Sequence, residues 1–385
     1  MCMKVELKPA LIVWARERAS LSPDELASRM GVTPERVAQW EANGELTYKQ
    51  AEKLARSTHT PIGYLFLSTP PEEKMPIPDY RTVGNQAMQR PSPDLLDTIY
   101  QCQRQQDWYR NYLIDSGAQP LPFVGSVHTN DGAMSAAGAI RGKLGLASGE
   151  RLAARTWEEA LRMMFMHVED AGILVMRSGI VGNNTHRKLS VEEFRGFTLC
   201  DDYAPLIFIN SADSKSAQMF TLAHELTHIW LGLSGVSNPT VIAENGQSVE
   251  RFCNAVAAEV LIPLADVRTA WQANEDLDEA VTHLANRFKV SRLVAIRRAH
   301  DAGLISRDEM QETYDAEVEH LAAIARGGGG DYYRTQGSRL GHSFLTALIL
   351  SALEGKTLYR DAFRLLGVTK YETFQELARS VQIPV

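Results

Sequence analysis

Residues 220–232 read FTLAHELTHIWLG, and within them His224, Glu225 and His228 form the pattern H-E-x-x-H. The run around them is helix-compatible, with apolar Phe220, Leu222, Ala223, Leu226, Ile229 and Trp230. On a helix, positions i and i+4 share a face, so both imidazoles reach a single zinc ion. Glu225, next to the first histidine, is then placed to accept a proton from zinc-bound water. A catalytic zinc takes three protein ligands and keeps one open position.

The third ligand is expected from the next helix, residues 248–263, SVERFCNAVAAEVLIP. Glu250 and Asn254 lie four apart on one face, with Glu259 as the competitor. Glu250 is preferred, because the spacing lets Asn254 hydrogen-bond a ligand and fix its orientation. Glu259, more than two turns away, is expected to make a structural or surface contact. Upstream, the run APLIFIN (204–210) reads as a strand that pairs with an extended substrate or is simply buried. Tyr203, His186 and Arg187 are nearby donors for an oxyanion, with no position assigned.

Outward from this centre the chain changes character. The first 68 residues carry helix signals about every dozen residues. Ser22-Pro23-Asp24-Glu25 is an N-terminal capping box, and Gly31 ends the helix it opens. Thr33-Pro34-Glu35 opens a second short helix, stopped by Asn43-Gly44. Two short helices about a glycine turn make a helix-turn-helix. Leu26, Ala27, Met30, Val32, Val37 and Trp40 form its expected core. Thr33, Arg36 and Gln39 then point outward: Gln39 suits adenine, and Arg36 suits guanine or phosphate. The charge of this unit is nearly balanced, nine Lys+Arg against eight Asp+Glu.

The whole chain of 385 residues has a net charge of −7, 44% hydrophobic and 23% charged residues. These values exclude wholesale disorder, collagen and coiled-coil rods, and the acidic balance disfavours coating nucleic acid by bulk charge. Cys2, Cys102, Cys200 and Cys253 are scattered, with no C-x-x-C pair, which fits a reducing compartment. No signal peptide or membrane span is read, so the expected location is cytoplasmic.

The prolines of 69–82 and the four glycines at 327–330 punctuate the chain. The expected organisation is a helix-turn-helix domain at 1–68, a proline-rich linker at 69–91, a zinc domain with helical extension at 92–305, and a helical region at 306–385. The fold class is α+β: helical at both ends, with a small sheet and the HExxH helix in the middle. Residues 279–305 repeat a helix-turn-helix-like cadence with Arg292, Arg297 and Arg298. That basic helix contacts DNA or, in the favoured reading, supports the central domain and recruits a partner.

Residues 8–68, through the terminal PIGYLFL, resemble the Xre/Cro-type helix-turn-helix family. The run GFTLCDDYAPLIFINSADSKSAQMFTLAHELTHIWLG, followed by ERFCNAVAAEVLIP, resembles the ImmA/IrrE-type zinc metallopeptidases, which are similar to small gluzincins. The match covers roughly 170–265 with specific motifs and 80–300 more loosely. It implies a Zn2+ cofactor, His224, His228 and Glu250 as ligands, and Glu225 as general base. Thr227 stands where the family often has Gly, and Cys253 where it usually has Ala. The resemblance further implies a DNA-binding regulatory protease whose substrate is a repressor or other regulatory protein. The rival expectation is a repressor or antitoxin, with a cognate toxin as partner, whose peptidase fold serves binding or sensing. A homodimer is consistent with reading paired half-sites.

Overall fold

The computed structural model describes residues 3–81, 90–146, 154–239, 248–272, 275–323 and 339–384. The glycine run 327–330 lies outside these residues. By its contacts the chain forms two compact units, one of residues 1–76 and 87–99, the other of 77–86 and 100–385.

In the first unit, β1 (Lys4–Glu6) and β2 (Glu45–Thr47) pair antiparallel, and α1 (Pro9–Arg18), α2 (Pro23–Met30), α3 (Pro34–Asn43) and α4 (Tyr48–Ser57) follow around them. This small two-stranded ladder is an addition to the helical expectation. The Ser22 hydroxyl accepts from Glu25 N, and Glu25 accepts from Ser22 N, so the capping box closes at the start of α2. Gly31 and Gly44 end α2 and α3 in the left-handed region, where glycine carries no steric cost. At Gly44 a Cβ would lie 1.9 Å from Leu7 O. Leu26, Ala27, Met30, Val37 and Trp40 are buried in the shared core, with Val32 partly buried against it. Fully burying such side chains contributes roughly 1.5–3 kcal/mol each, so this core holds the unit's fold. Thr33, Arg36 and Gln39 are exposed.

The second unit begins with the strap 77–81 and takes most of α5 (Pro93–Asp115). It continues through α6 (Ala133–Lys143), α7 (Trp157–Asp170), β3 (Leu174–Ser178), β4 (Gly196–Leu199), β5 (Leu206–Asn210), α8 (Lys215–Leu231), β6 (Gly235–Ser237) and α9 (Ser248–Leu261). Then come α10 (Leu264–Ala270), α11 (Leu277–Phe288), α12 (Arg292–Asp301), α13 (Arg307–Ala323), α14 (His342–Leu353), α15 (Tyr359–Leu366) and α16 (Tyr371–Ser380).

The sheet order is β3-β5-β4-β6, with β3 and β5 parallel and the other pairs antiparallel. β5 is therefore an inner strand with both edges paired. Of the two readings of APLIFIN, the structure bears out the buried strand and not the one that pairs with a substrate: all five residues of β5 are buried, as a strand covered on both faces requires. The outer edge of β6 is taken by the chain itself. Asp79 bridges Val236, Tyr80 N donates to Val236 O at 2.9 Å, and Val236 N donates to Pro78 O at 3.0 Å.

Helix α8 lies against β4 and β5, and α9 packs against α8. Ser214 caps α8 through Ala217 N, and Gly232 closes it in the left-handed region. Every residue of α8 from Gln218 to Trp230 is buried, so it is the central helix of this core. Packing on all sides is why its apolar residues do not form one stripe.

Candidate metal centre

His224 and His228 project one turn apart from α8, with their Nε2 atoms 3.2 Å apart. Glu250, in the first turn of α9, reaches both: Oε2 is 3.3 Å from His224 Nε2 and Oε1 is 3.1 Å from His228 Nε2. Both histidines are fully buried and Glu250 is nearly so. Asn254, one turn further along α9, places Oδ1 2.8 Å from His224 Nδ1. With the Nδ1 proton held there, Nε2 of His224 is left as a bare lone pair aimed at His228 and Glu250.

Two histidine nitrogens and the two oxygens of one carboxylate thus converge in a buried space, which is costly unless a cation or proton lies among them. Their mutual spacing fits a tetrahedral zinc ion, whose bonds of about 2.0–2.1 Å set ligand atoms roughly 3.3 Å apart. In the protein alone, a proton shared with Glu250 partly fills that role. Burial works against a charged His224, but the Glu250 carboxylate overcomes it and raises the histidine's pKa. Burial also pushes Glu250 upward, yet its hydrogen bonds and charge pairing with the two histidines bring it down to about 2.

Cys253 Sγ forms a second grouping, lying with the His224 and His228 nitrogens within 4.8 Å of one another. Glu250 is the better third ligand on geometry, since it lies within 3.3 Å of both histidines. Burial drives the Cys253 thiol well above its ordinary pKa, with the charges of Glu250 and Glu225 adding to the effect. The neutral thiol is a small buried side chain beside the site.

Glu225 lies between the histidine pair, whose charges it feels, and β4. Its Oε2 accepts a hydrogen bond from the Thr198 hydroxyl at 2.7 Å, while Oε1 is buried and has no hydrogen-bond partner. Burial raises the carboxyl's pKa, opposed by the nearby histidines and Thr198. A buried carboxylate with one oxygen anchored and one free is prepared to accept a proton. Gly196 leaves it room, since a Cβ there would meet Glu225 Oε1 at 3.0 Å and Thr221 Cγ2 at 2.7 Å.

Glu259 takes no part in this cluster. It pairs with the buried guanidinium of Arg298 and accepts from Leu264 N. The other cations of α12 are also engaged: Arg292 with Asp278 and Glu317, and Arg297 with Asp301. Tyr203 sits in a turn closed on Asp201, and His186 in one closed on Asn184.

Three residues beside the centre escape sequence reasoning. Thr198 anchors Glu225. Ser237 Oγ lies 3.4 Å from His228 Nε2. Tyr80 stacks on the His228 ring, with centroids 5.4 Å apart at 22°. Burial, and then the charges of Glu250 and Cys253, raise the pKa of its hydroxyl. None of the three belongs to a local motif, and each is brought in by the sheet.

Three family profiles match the chain. Residues 12–65 match Helix-turn-helix, 168–300 match the IrrE N-terminal-like domain of a peptidase family, and 340–380 match a domain of unknown function (DUF8813). No curated protein and no solved structure gives a significant match. Among the described residues, no helix is long and apolar enough to cross a membrane. The histidine pair, Glu225, Glu250 and Asn254 all fall within the second matched segment, and the capped α2–α3 pair within the first. The chain therefore joins an Xre-type helix-turn-helix to a domain of the ImmA/IrrE type.

Proposed function

We propose that the chain is a regulatory zinc metallopeptidase that cleaves a repressor or another regulatory protein, and that its helix-turn-helix places it on DNA. The observation that carries the reading is the convergence of His224, His228 and Glu250 at 3.1–3.3 Å beside a buried, half-anchored Glu225. In this reading His224, His228 and Glu250 hold Zn2+ and Asn254 fixes the His224 ring. A bound zinc ion supplies Lewis-acid polarisation and an acidified water. Glu225 takes the proton at Oε1 while Thr198 keeps Oε2 in place, and the same carboxyl can then deliver that proton to the leaving amine. A binding or sensing module has no need of such a base, so Glu225 favours the enzyme over the repressor or antitoxin reading.

Glu225→Gln is the direct test. Zinc content by metal analysis is expected to stay near one per chain, while cleavage of a regulatory substrate falls about 10²- to 10⁴-fold. Cleavage at the wild-type rate would overturn the mechanism.

On the DNA side, Thr33, Arg36 and Gln39 are the proposed contacts. Arg36 and Gln39 hydrogen-bond each other, and the Arg36 guanidinium lies 5.5 Å from the Trp40 ring centroid. The recognition face is thereby ordered before it meets a base. Arg36→Ala is expected to weaken operator binding by about 1–3 kcal/mol in a gel shift at fixed salt. Unchanged binding would move the contact elsewhere.

A further inference from the structure

The sheet edge beside the metal centre already carries an occupant. Residues 78–80 run along β6, with Tyr80 N donating to Val236 O at 2.9 Å and Pro78 O accepting from Val236 N at 3.0 Å. These two bonds are what strand addition by an extended peptide would make. The Tyr80 ring then covers one face of His228. Gly235 permits this approach, since a Cβ at that position would stand 2.2 Å from the Tyr80 ring. Beyond the ladder, one ion pair ties the segment to the rest of the domain: Arg81, held in shape by a two-pronged pair with its own neighbour Asp79 at 2.6 and 2.8 Å, reaches Glu193 at 3.4 Å.

The inner strands leave little choice of edge. β5 and β4 are each paired on both sides. Of the two outer strands, β6 is the one whose Ser237 reaches a site histidine. A polypeptide laid along the sheet next to His228 therefore needs the place that residues 78–80 hold. The hold is slight: two ladder bonds, the Tyr80 ring on His228 and one ion pair of partly exposed side chains, Arg81 with Glu193. Proline at 78 has no amide with which to extend the pairing.

We propose that residues 77–81 are a self-inhibitory strand, filling the β6 edge and the face of His228 that an extended substrate polypeptide takes, and that this strand leaves before cleavage. The inference rests on the peptidase reading for its consequence. It also makes the tether that follows the helix-turn-helix unit in sequence a part of the site's control.

The test uses the full-length, zinc-loaded chain and an extended peptide ending in a hydroxamate, a group that binds zinc and is not cleaved. Binding is read by fluorescence anisotropy and backbone protection by hydrogen exchange. At saturation the Tyr80 amide is expected to lose at least tenfold in protection. Val236 N–H is expected to stay protected, because the peptide replaces Pro78 O as its acceptor. Arg81→Ala and Glu193→Ala, which each remove the ion pair that ties the segment to the domain without touching the metal centre, are each expected to tighten probe binding about tenfold or more. Unchanged Tyr80 protection at saturation would overturn the proposal, as would unchanged or weaker binding in both folded variants. Failure of the probe to bind any of the zinc-loaded proteins would overturn it equally. If the probe displaces the strand but ordinary peptides are never cut, the peptidase reading fails while the strand assignment stands.

Discussion

Glu225 carries its two oxygens in different states, and the difference is set by one hydroxyl. Thr198 donates to Oε2 at 2.7 Å, which favours the ionised carboxylate against the burial that raises its pKa. Thr198→Val removes that donor while keeping the volume. The carboxyl's pKa is then expected to rise further, so the base is protonated over a wider acid range. A hydrogen bond to a charged group contributes about 1.5–3 kcal/mol, and one pKa unit corresponds to about 1.4 kcal/mol. The acid limb of the pH–rate profile is therefore expected to move up by roughly one unit or more, with zinc content unchanged. An unmoved limb would show that Thr198 serves the backbone of α8 rather than the base. The histidines and Glu225 are legible in the sequence because helical periodicity alone brings i and i+4 together. Thr198 and Tyr80 are not, since 26 or more residues separate each from the motif and only the sheet closes the distance.

At the scale of elements, α9 shows how one helix separates two glutamates by burial partner. Glu250 faces the histidines of α8, and Glu259, more than two turns later, faces Arg298 of α12. Arg298 is almost fully buried and also donates to Ile262 O at 2.9 Å. The basic cadence of α12 thus holds the domain together, and its arginines are committed to partners inside the fold. Arg298→Leu is expected to destabilise the domain by about 3–5 kcal/mol, because it strands a buried carboxylate. Adding Glu259→Leu is expected to recover a large part of that loss in urea unfolding, since no unpaired charge then remains. A double variant as unstable as the single one would assign the cost to lost packing instead. The sequence shows that these arginines exist, but which carboxylate each one meets is decided by helix packing. The strand LIFIN is the opposite case: its apolar run Leu206–Ile209 fits an inner strand covered on both faces, one of the two readings that its sequence leaves open.

Across the whole molecule, the α14–α16 region docks on the central domain through several polar contacts, and one of them titrates. Glu169, near the end of α7, accepts a hydrogen bond from His342 N at 2.8 Å at the start of α14. Burial raises its pKa from the ordinary value to about 7, against the pull of the α14 amides and Arg177. Other ties include hydrogen bonds from Gln105 to Leu365 O, from Trp108 Nε1 to the Thr357 hydroxyl and from Asn183 to Gly367 O, and the packing of Trp108 on Phe344. Because the folded pKa lies above the unfolded one, the folded state binds the extra proton between about pH 4.5 and 7. The associated stability is complete below the unfolded value and is lost as pH rises through about 7. The shift corresponds to something on the order of 3 kcal/mol at most. Glu169→Gln keeps an oxygen acceptor for His342 N and removes the titration. The variant is expected to melt at a nearly constant temperature between pH 5 and 8, while the wild type loses several degrees over the same range. If the two profiles run parallel, the pH dependence belongs to other groups, and the α7–α14 contact is held by packing alone.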